Sequence, residues 1–238
     1  MMAFQTISAH LTRSVALSEF TKHIEFEVVA STFGFVPGQW LSLKQSKPDG
    51  EELTRAYSIA SAPNGAKFAL CLNRVQDGFM SNYLCDLPQG AIIQAQGPFG
   101  NFILRPPLRD TIFIATGTGI APYRSMLHWL FADPSRHHNK QFWLVFGSRT
   151  QRDIYYHDEF LQLAAAHPNF HYMPTLSRGS DNWPGLRGYV QEHVRALAEG
   201  RTDMHAYVCG LDKMVSANRE LLKSLGWDRK SILYEKYD

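Results

Sequence analysis

A glycine-rich turn is the segment whose residue types most directly suggest ligand binding. The hexapeptide Gly117–Pro122, with sequence GTGIAP, follows the apolar run Thr111–Ala115 and precedes a helical pattern. Glycines let the chain turn tightly and let a ligand approach main-chain amides, and a helix N-terminus carries unpaired N–H groups and partial positive charge. Pro122 suits the first turn of a helix, where its missing N–H costs no hydrogen bond. The turn predicts a nucleotide phosphate site, with a plain strand-to-helix connection as the alternative.

A second candidate is the tetrapeptide Arg55-Ala56-Tyr57-Ser58, which lies on a predicted strand. Side chains alternate along a strand, so Arg55 and Tyr57 point to one face and Ser58 to the other. A guanidinium offers a planar fork for a phosphate, and a tyrosine ring offers a flat surface for an aromatic cofactor. A serine hydroxyl can donate a hydrogen bond to a ring nitrogen. The same residues also fit an exposed arginine beside a core tyrosine, so the tetrapeptide by itself leaves both interpretations open.

The cysteines give no sign of a metal site. Cys71, Cys85 and Cys209 are far apart, odd in number, and form no CxxC pair. We therefore expect no four-cysteine zinc site, no 2Fe–2S cluster and no bound metal. An odd count at wide spacing is typical of a reducing compartment.

The elements that must position these residues change character near the segment Arg105–Pro107. Before it, short alternating strands are separated by turn signals, which is typical of an antiparallel barrel. The turn signals are Pro37-Gly38, Pro48-Asp49-Gly50, Pro63-Asn64-Gly65 and Pro88-Gln89-Gly90. The sequence therefore predicts an N-terminal antiparallel β-barrel domain over residues 1–106, with one short helix after Gly78.

Beyond that segment, apolar strands alternate with helical patterns. Thr111–Ala115 is a continuous apolar run, as expected for a parallel strand covered on both faces. Repeated strand–helix units predict a C-terminal α/β domain, a doubly wound parallel sheet over residues 107–238. The predicted helices run from about Pro122 to Phe131, from Asp158 to Ala166, from Val190 to Ala198 and from Met214 to Leu225.

Composition excludes several classes of protein. Of the 238 residues, 45% are hydrophobic and 19% charged, which argues against a disordered chain. The net charge of +2 gives no support for a nucleic-acid partner. Residues 1–18 show no signal-peptide pattern, and no apolar run is long enough to span a membrane. We expect a cytoplasmic protein that is a monomer and has no membrane segment.

Taken in their order along the chain, the motifs resemble the ferredoxin–NADP+ reductase superfamily over about residues 37–237. The resemblance is to the plant type, in a compact bacterial-like form without a 2Fe–2S domain. Besides the two motifs above, the matching segments are Leu70–Arg74, Gly78–Leu84, Gly97–Gly100, Leu176–Arg178, Gly188–Gln191, Cys209–Met214 and Tyr234–Tyr237. The resemblance implies a flavin-binding barrel followed by a domain that binds a nicotinamide nucleotide.

For the first domain, the resemblance implies bound FAD. Arg55 would hold the pyrophosphate, Tyr57 would stack on the isoalloxazine, and Ser58 would hydrogen-bond flavin N5. The other residues implied in FAD contact are Ala56, Cys71, Leu72, Asn73, Gly78, Phe79, Met80 and Ser81. The family's adenine-stacking tyrosine has no counterpart in the shorter segment here, so the support of the adenine stays open.

For the second domain, the resemblance implies an NADP(H) site. Ser177, Arg178, Arg187 and Tyr189 match the family's site for the 2′-phosphate and adenine. A hydrogen bond from arginine to phosphate contributes roughly 1.5–3 kcal/mol, which favours NADPH, although NAD(H) stays an alternative. The remaining residues implied at the nucleotide are Thr118, Gly119, Gly210 and Leu211, and those implied at nicotinamide and flavin are Cys209, Glu235 and Tyr237. With Ser58, these last three form the predicted catalytic set.

The implied reaction is hydride transfer between NADP(H) and FAD N5, coupled to one-electron exchange with ferredoxin or flavodoxin. One alternative is an NADH-dependent reductase component of an oxygenase or P450 system, although the cysteine count excludes a fused ferredoxin domain. Another is a free-flavin reductase, against which the phosphate contacts of Arg55 and Gly78–Ser81 argue. A regulatory electron-transfer subunit would need a C-terminal cysteine cluster, which this sequence lacks. Candidates by chain position for docking an acidic carrier are Lys22, Lys44, Lys47, Arg74, Arg105 and Arg109.

Overall fold

The chain forms two compact units, seen in a computed structural model that describes residues 5–29 and 32–237. The first unit comprises the residues up to Leu104 together with 121–129, and the second comprises the rest. Residues 1–4, 30–31 and 238, which the predicted domains include, lie outside the described residues. No helix in the described part of the chain is long and apolar enough to cross a membrane.

The first unit contains a six-stranded antiparallel sheet, which confirms the predicted architecture of the N-terminal half. Along β2 the apolar side chains of Ile24, Phe26 and Val28 are buried, while the intervening glutamates stay partly exposed. This alternation gives the sheet one apolar face, against which helix α1 packs. The elements are β1 Gln5–Ala16, β2 Thr21–Val28, β3 Trp40–Ser46, β4 Glu52–Ser58, β5 Lys67–Asn73, α1 Phe79–Asp86 and β6 Ile92–Phe99. The strand order is β4-β3-β6-β1-β2-β5.

The segment 121–129 contacts the first unit through side-chain hydrogen bonds to its main chain. Arg124 Nη1 donates to Ala60 O at 2.8 Å, and Ser125 Oγ donates to Ser61 O at 2.6 Å. The segment is therefore fixed by polar contacts on the turn that follows β4.

The second unit contains a six-stranded parallel sheet, which confirms the predicted doubly wound α/β architecture. Its strands are β7 Thr111–Thr116, β8 Phe142–Ser148, β9 Phe170–Leu176, β10 Leu186–Arg187, β11 His205–Leu211 and β12 Ile232–Tyr237. The helices after β7, β8, β10 and β11 are α2 Ala121–Phe131, α3 His157–Ala166, α4 Val190–Ala198 and α5 Asp212–Ser224. The order is β10-β9-β8-β7-β11-β12. Because all strands run the same way, their carboxyl ends meet at one edge, where ligands bind in such sheets.

Candidate functional site

The glycine turn packs main chain against main chain on the neighbouring strand β11. Gly117–Ile120 forms one turn of 3₁₀ helix that leads directly into α2. A Cβ on Gly119 would overlap the carbonyl oxygen of Cys209, so no larger residue fits there without a shift. The contact brings Thr118 and Gly119 beside the end of β11.

Gly210 forms the other wall of this contact. Its φ of +145° is strained for any residue with a side chain, and a Cβ would lie 2.6 Å from Thr116 Oγ1 and 2.8 Å from Met214 Cε. The Thr116 hydroxyl is buried and has no hydrogen-bond partner in the described structure. Buried hydroxyls are normally paired. A glycine cradle with an unpaired hydroxyl therefore fits a polar ligand group such as the phosphate or amide of a nicotinamide nucleotide.

The parallel ladder between β11 and β12 assembles three of the four predicted catalytic residues. Cys209 lies opposite Glu235, and Leu211 lies opposite Tyr237. Burial raises the pKa of the Cys209 thiol well above its usual value, and the Glu235 carboxylate raises it further, while a hydrogen bond from Tyr237 acts in the opposite direction. The thiol is therefore protonated at neutral pH and forms an uncharged wall.

An ion pair ties the start of α5 to the end of β12. Lys236 Nζ contacts Asp212 Oδ1, and Ser216 Oγ donates to the same oxygen at 3.4 Å. The Lys236 contact lowers the pKa of the Asp212 carboxyl. Lys236 lies opposite Gly210 in the ladder, so this pair lies beside the cradle.

The predicted 2′-phosphate residues follow β9. Ser177 N donates to Ser148 O at 3.0 Å, and Arg178 N donates to Arg149 O at 2.8 Å. The main chains of Arg149 and Arg178 are thus neighbours, and both residues are exposed. Arg149 was missed by the sequence analysis, although it directly follows β8, and the carboxyl ends of neighbouring parallel strands must meet.

Tyr189 and Arg187 lie at the other side of this region, around β10. Tyr189 is 69% exposed and precedes α4, so its ring is available for stacking. The Arg187 guanidinium instead lies within the segment 179–183 and donates to main-chain carbonyls there. Ser177, Arg178, Arg187 and Tyr189 therefore surround one loop, but they present different chemistry to a ligand.

In the first unit, Arg55 and Tyr57 share one face of β4, opposite the buried Leu43 and Leu41. Arg55 is exposed, donates to Thr54 O at 2.9 Å, and pairs with no carboxylate among the described residues. Tyr57 packs partly against the core, and burial raises its pKa to about 12 against an opposing effect of Arg55. A guanidinium without a carboxylate partner in the described structure and a neutral, half-buried ring fit the phosphate and the aromatic ring of a flavin nucleotide.

The serine at the end of β4 is enclosed. Ser58 is buried and lies opposite Trp40, whereas Ala56, two residues earlier, is exposed. Tyr57 and Ser58 therefore point to opposite faces of the strand.

Helix α1 presents an open N-terminus next to these residues. The Ser81 hydroxyl accepts from Val75 N at 3.0 Å and donates to Gly78 O at 3.1 Å, so it braces the loop. The first turn has no side-chain cap and no acidic residue, which leaves main-chain N–H groups for an anion. Met80 is in the core, and Phe79 is half-exposed and stacks on Tyr83 with ring centroids 6.4 Å apart.

The residues on β5 that are predicted to contact the flavin nucleotide differ in burial. Cys71 and Leu72 are buried in the unit, while Asn73 is exposed and accepts a hydrogen bond from Thr21 Oγ1. All three cysteines of the chain are free and buried. Within residues 5–29 and 32–237, no group of three or more metal-ligating side chains is placed to hold a metal ion.

Comparison with known proteins gives a consistent picture. Residues 8–103 match the oxidoreductase FAD-binding domain, and residues 113–220 match the oxidoreductase NAD-binding domain. The chain is 42% identical to Ferredoxin--NADP reductase B of Sorangium cellulosum, covering 100% of both chains. It is 32% identical to the glycine betaine monooxygenase reductase subunit of Chromohalobacter salexigens, over 86% of this chain and 56% of that relative.

A solved structure shares the fold. The crystal structure of a ferredoxin NADP+ reductase from Neisseria gonorrhoeae with bound FAD and NADP matches with a TM-score of 0.83. The match covers 99% of both chains at 21% sequence identity.

Proposed function

The chain belongs to the ferredoxin–NADP reductase family, and from this premise we propose that it is an FAD-dependent oxidoreductase acting on NADP(H). It exchanges hydride with NADP(H) and single electrons with a small carrier protein, ferredoxin or flavodoxin. Bound FAD supplies the chemistry that links two-electron to one-electron steps. The observation that carries the proposal is the cradle formed by Gly119 and Gly210 beside Cys209, with Glu235 opposite.

The first unit binds FAD in this proposal. Arg55 and the open N-terminus of α1 bind the pyrophosphate, since both offer N–H donors without a competing carboxylate. The Tyr57 ring supports the isoalloxazine. The further contacts come from Ala56, from the main chain of Cys71, Leu72 and Asn73, and from Gly78, Phe79, Met80 and Ser81.

The second unit binds NADP(H). Arg178 and Ser177 contact the 2′-phosphate, and the position of Arg149 adds a second guanidinium there. The exposed Tyr189 ring stacks on the adenine. Thr118, Gly119, Gly210 and Leu211 line the nicotinamide end. This arrangement favours NADPH over NADH, because NADH has no 2′-phosphate for the arginines to bind.

Three residues shape the reacting end of the nucleotide. The protonated Cys209 thiol excludes water and adds no charge. The Glu235 carboxylate stabilises the positive charge that the nicotinamide gains when hydride leaves. Tyr237, which donates a hydrogen bond to Cys209, covers this end of the site and yields when the nicotinamide enters.

We extend the proposal to the setting of the protein. Residues 1–106 and 107–238 serve as the FAD and NADP(H) domains. The protein acts as a monomer in the cytoplasm. The three free cysteines support the cytoplasmic location, because disulfides are rare in reducing compartments.

The test is a visible spectrum of the purified protein, followed by anaerobic titration with NADPH and then NADH. Flavin absorption that bleaches at much lower NADPH than NADH supports the proposal and the Arg178 assignment. Equal bleaching by both would keep the flavoenzyme and remove the NADP(H) preference. A colourless protein that takes up no added FAD would overturn the proposal.

A second candidate is the reductase component of an oxygenase, favoured by the similarity to the glycine betaine monooxygenase reductase subunit. The match covers 56% of that relative. Higher kcat/KM with NADH than with NADPH would favour this candidate.

A further inference from the structure

Arg187 lies among the residues matched to the 2′-phosphate site, yet its side chain faces the loop that follows Arg178. We propose that Arg187 is a positioning residue: it fastens the segment 179–183 to β10 and so holds the shape of this loop, and it is not itself a ligand of the phosphate. The inference rests on the proposed function for the identity of the ligand. The hydrogen bonds that carry it are properties of the protein alone.

The hydrogen bonds of the Arg187 guanidinium leave no pair of N–H groups free to bind a phosphate. Nη2 lies 2.7 Å from Ser180 O, 3.1 Å from Asp181 O and 3.1 Å from Trp183 O. Nη1 donates to Gly179 O at 3.2 Å. Arginine grips a phosphate with two parallel N–H groups, and each edge of the guanidinium that offers such a pair includes Nη2. Because carbonyls already engage Nη2 fully, neither edge is free.

The main chain of Arg187 is itself held on the sheet. Arg187 lies opposite Leu176 in the ladder between β10 and β9, and its carbonyl accepts a hydrogen bond from His193 Nε2 at 2.9 Å. Gly188 N donates to Leu176 O at 3.0 Å. The loop leaves the sheet at Ser177 and returns at β10, so a side chain anchored at its return point can brace the whole span.

The far end of the loop is packed as tightly as its base. Trp183 is buried, and its Nε1 donates to Leu186 O at 2.8 Å. A Cβ on Gly185 would lie 2.5 Å from the Trp183 ring. Arg187 bonds the carbonyl of this same tryptophan, so the guanidinium connects the packed end of the loop to the segment that directly follows Arg178.

This arrangement predicts which nucleotides depend on Arg187. A residue that touches the 2′-phosphate matters for NADPH and not for NADH. A residue that shapes the loop matters for both, because the loop borders the adenosine that the two nucleotides share. Arg187 should therefore affect both nucleotides, whereas Arg178 should affect NADPH selectively.

The experiment compares Arg187→Ala, Arg187→Lys, Arg178→Ala and, as a matched exposed arginine on α4, Arg195→Ala. Amide hydrogen exchange is followed without nucleotide in peptides that cover residues 177–187. The kcat/KM values for NADPH and NADH are measured with ferricyanide as acceptor. The lysine variant keeps the charge, but a single ammonium cannot reach all four carbonyls.

We expect Arg187→Ala and Arg187→Lys to speed exchange in the segment 179–183 by about tenfold or more, since the loop then opens locally. Arg187→Ala should lower kcat/KM for both nucleotides by similar factors, so their ratio stays within about twofold, whereas Arg178→Ala shifts that ratio by about tenfold or more. Unchanged exchange in Arg187→Ala, or a loss confined to NADPH, would overturn the positioning role. A wild-type protein that no nucleotide reduces would defeat the proposed function instead, and the exchange result would still decide the role of Arg187.

Discussion

The two units hold their positive charges in different ways. In the first unit most basic side chains lie against carboxylates: the pairs are Arg13–Glu25, Lys44–Glu52, Lys47–Glu51, Lys67–Glu27 and Arg74–Asp86. In the second unit several arginines rest instead on carbonyls or aromatic rings. Arg201 Cζ lies 5.4 Å from the Trp143 ring centroid, and Arg219 Cζ lies 3.6 Å from that of Tyr234.

The arginines assigned to phosphates have no carboxylate partner in the part of the chain that the structure describes. Arg55 in the first unit and Arg149 and Arg178 in the second pair with no carboxylate among the described residues. These are the arginines assigned to phosphates. Within residues 5–29 and 32–237, the arginines assigned to phosphates thus have no carboxylate that would compete with an anionic ligand, a property that they share with exposed arginines such as Arg152 and Arg195. The same contrast weakens the suggestion that Lys44, Lys47 and Arg74 attract an acidic carrier, because each already has a carboxylate partner.

The largest expected effect tests an unpaired charge of the second unit. We expect Arg178→Ala to lower kcat/KM for NADPH by about 10–100-fold, because a charged hydrogen bond to phosphate contributes roughly 1.5–3 kcal/mol. The value for NADH should change by less than about twofold on the same reasoning. Steady-state rates with ferricyanide provide the measurement, with Arg195→Ala as the control. An equal loss of kcat/KM with NADPH and NADH would contradict a contact between Arg178 and the 2′-phosphate.

The unpaired charge of the first unit should have a smaller effect. Arg55→Ala is expected to weaken FAD binding by about tenfold, less than the full charged-bond range because the α1 amides share the pyrophosphate. Fluorescence titration of the apoprotein with FAD measures this. Lys44→Ala, which removes a paired charge on the neighbouring strand, should leave FAD affinity unchanged. Tight FAD binding in Arg55→Ala would remove Arg55 from the site.

Acid should weaken the second unit through His205. Burial, followed by Arg109 and Arg105, lowers the pKa of this histidine. In the unfolded chain the histidine pKa is about 6.5, so the unfolded state binds the proton more readily than the folded state. Stability is therefore lost as the pH falls from about 6.5 through the lowered pKa of the folded state. Above that range the histidine is neutral in both states and contributes no pH dependence.

The variant His205→Gln should therefore lose less of its melting temperature between pH 7.5 and pH 5.5 than the wild type, by about 2–4 °C. Part of the acid effect stays, because burial also lowers the pKa of His137. The control is His10→Gln. His10 belongs to the first unit, and its ring lies 4.0 Å from a carboxylate oxygen of Glu27. If His205→Gln and the wild type lose the same melting temperature over this pH range, protonation of His205 does not weaken the second unit.

The smallest effect belongs to a paired charge. Arg74 forks onto Asp86 at the surface and also donates to Asn82 Oδ1 at 2.9 Å in a partly buried contact. Exposed pairs contribute little, so Arg74→Gln should lower the melting temperature by at most about 2 °C. Electron transfer to a plant-type ferredoxin should change by less than about twofold in the same variant. A strong slowing of electron transfer in this variant would indicate that Arg74 takes part in docking the carrier.

Periodicity and turn residues were sufficient to predict the architecture, but not the exact strand ends or the side-chain directions. The apolar run in β7 and the glycine turn after it predicted the first strand–helix unit. In the sequence, Pro174, which lacks an N–H, follows the strand-like segment Phe170–Met173. The strand continues to Leu176, since β8 pairs with it through Ser148 opposite Leu176. Only this added length brings Arg149 beside Arg178.

The direction of a long side chain could not be predicted from the sequence pattern. Arg187 was predicted as a phosphate ligand because its position matches the family's site. Its path into the loop depends on where carbonyls of Gly179–Trp183 happen to point, which no local periodicity encodes. By contrast, the burial of Cys71 and Leu72 follows from their apolar character, so a role through main chain alone was predictable.

The buried, protonated state of Cys209 has a consequence for chemical durability. Peroxide and alkylating agents attack the thiolate rather than the thiol, and they need access to the sulfur. Cys209 is fully buried, and its surroundings keep the proton on sulfur. A sulfur beside the proposed nicotinamide site is thus shielded from oxidants.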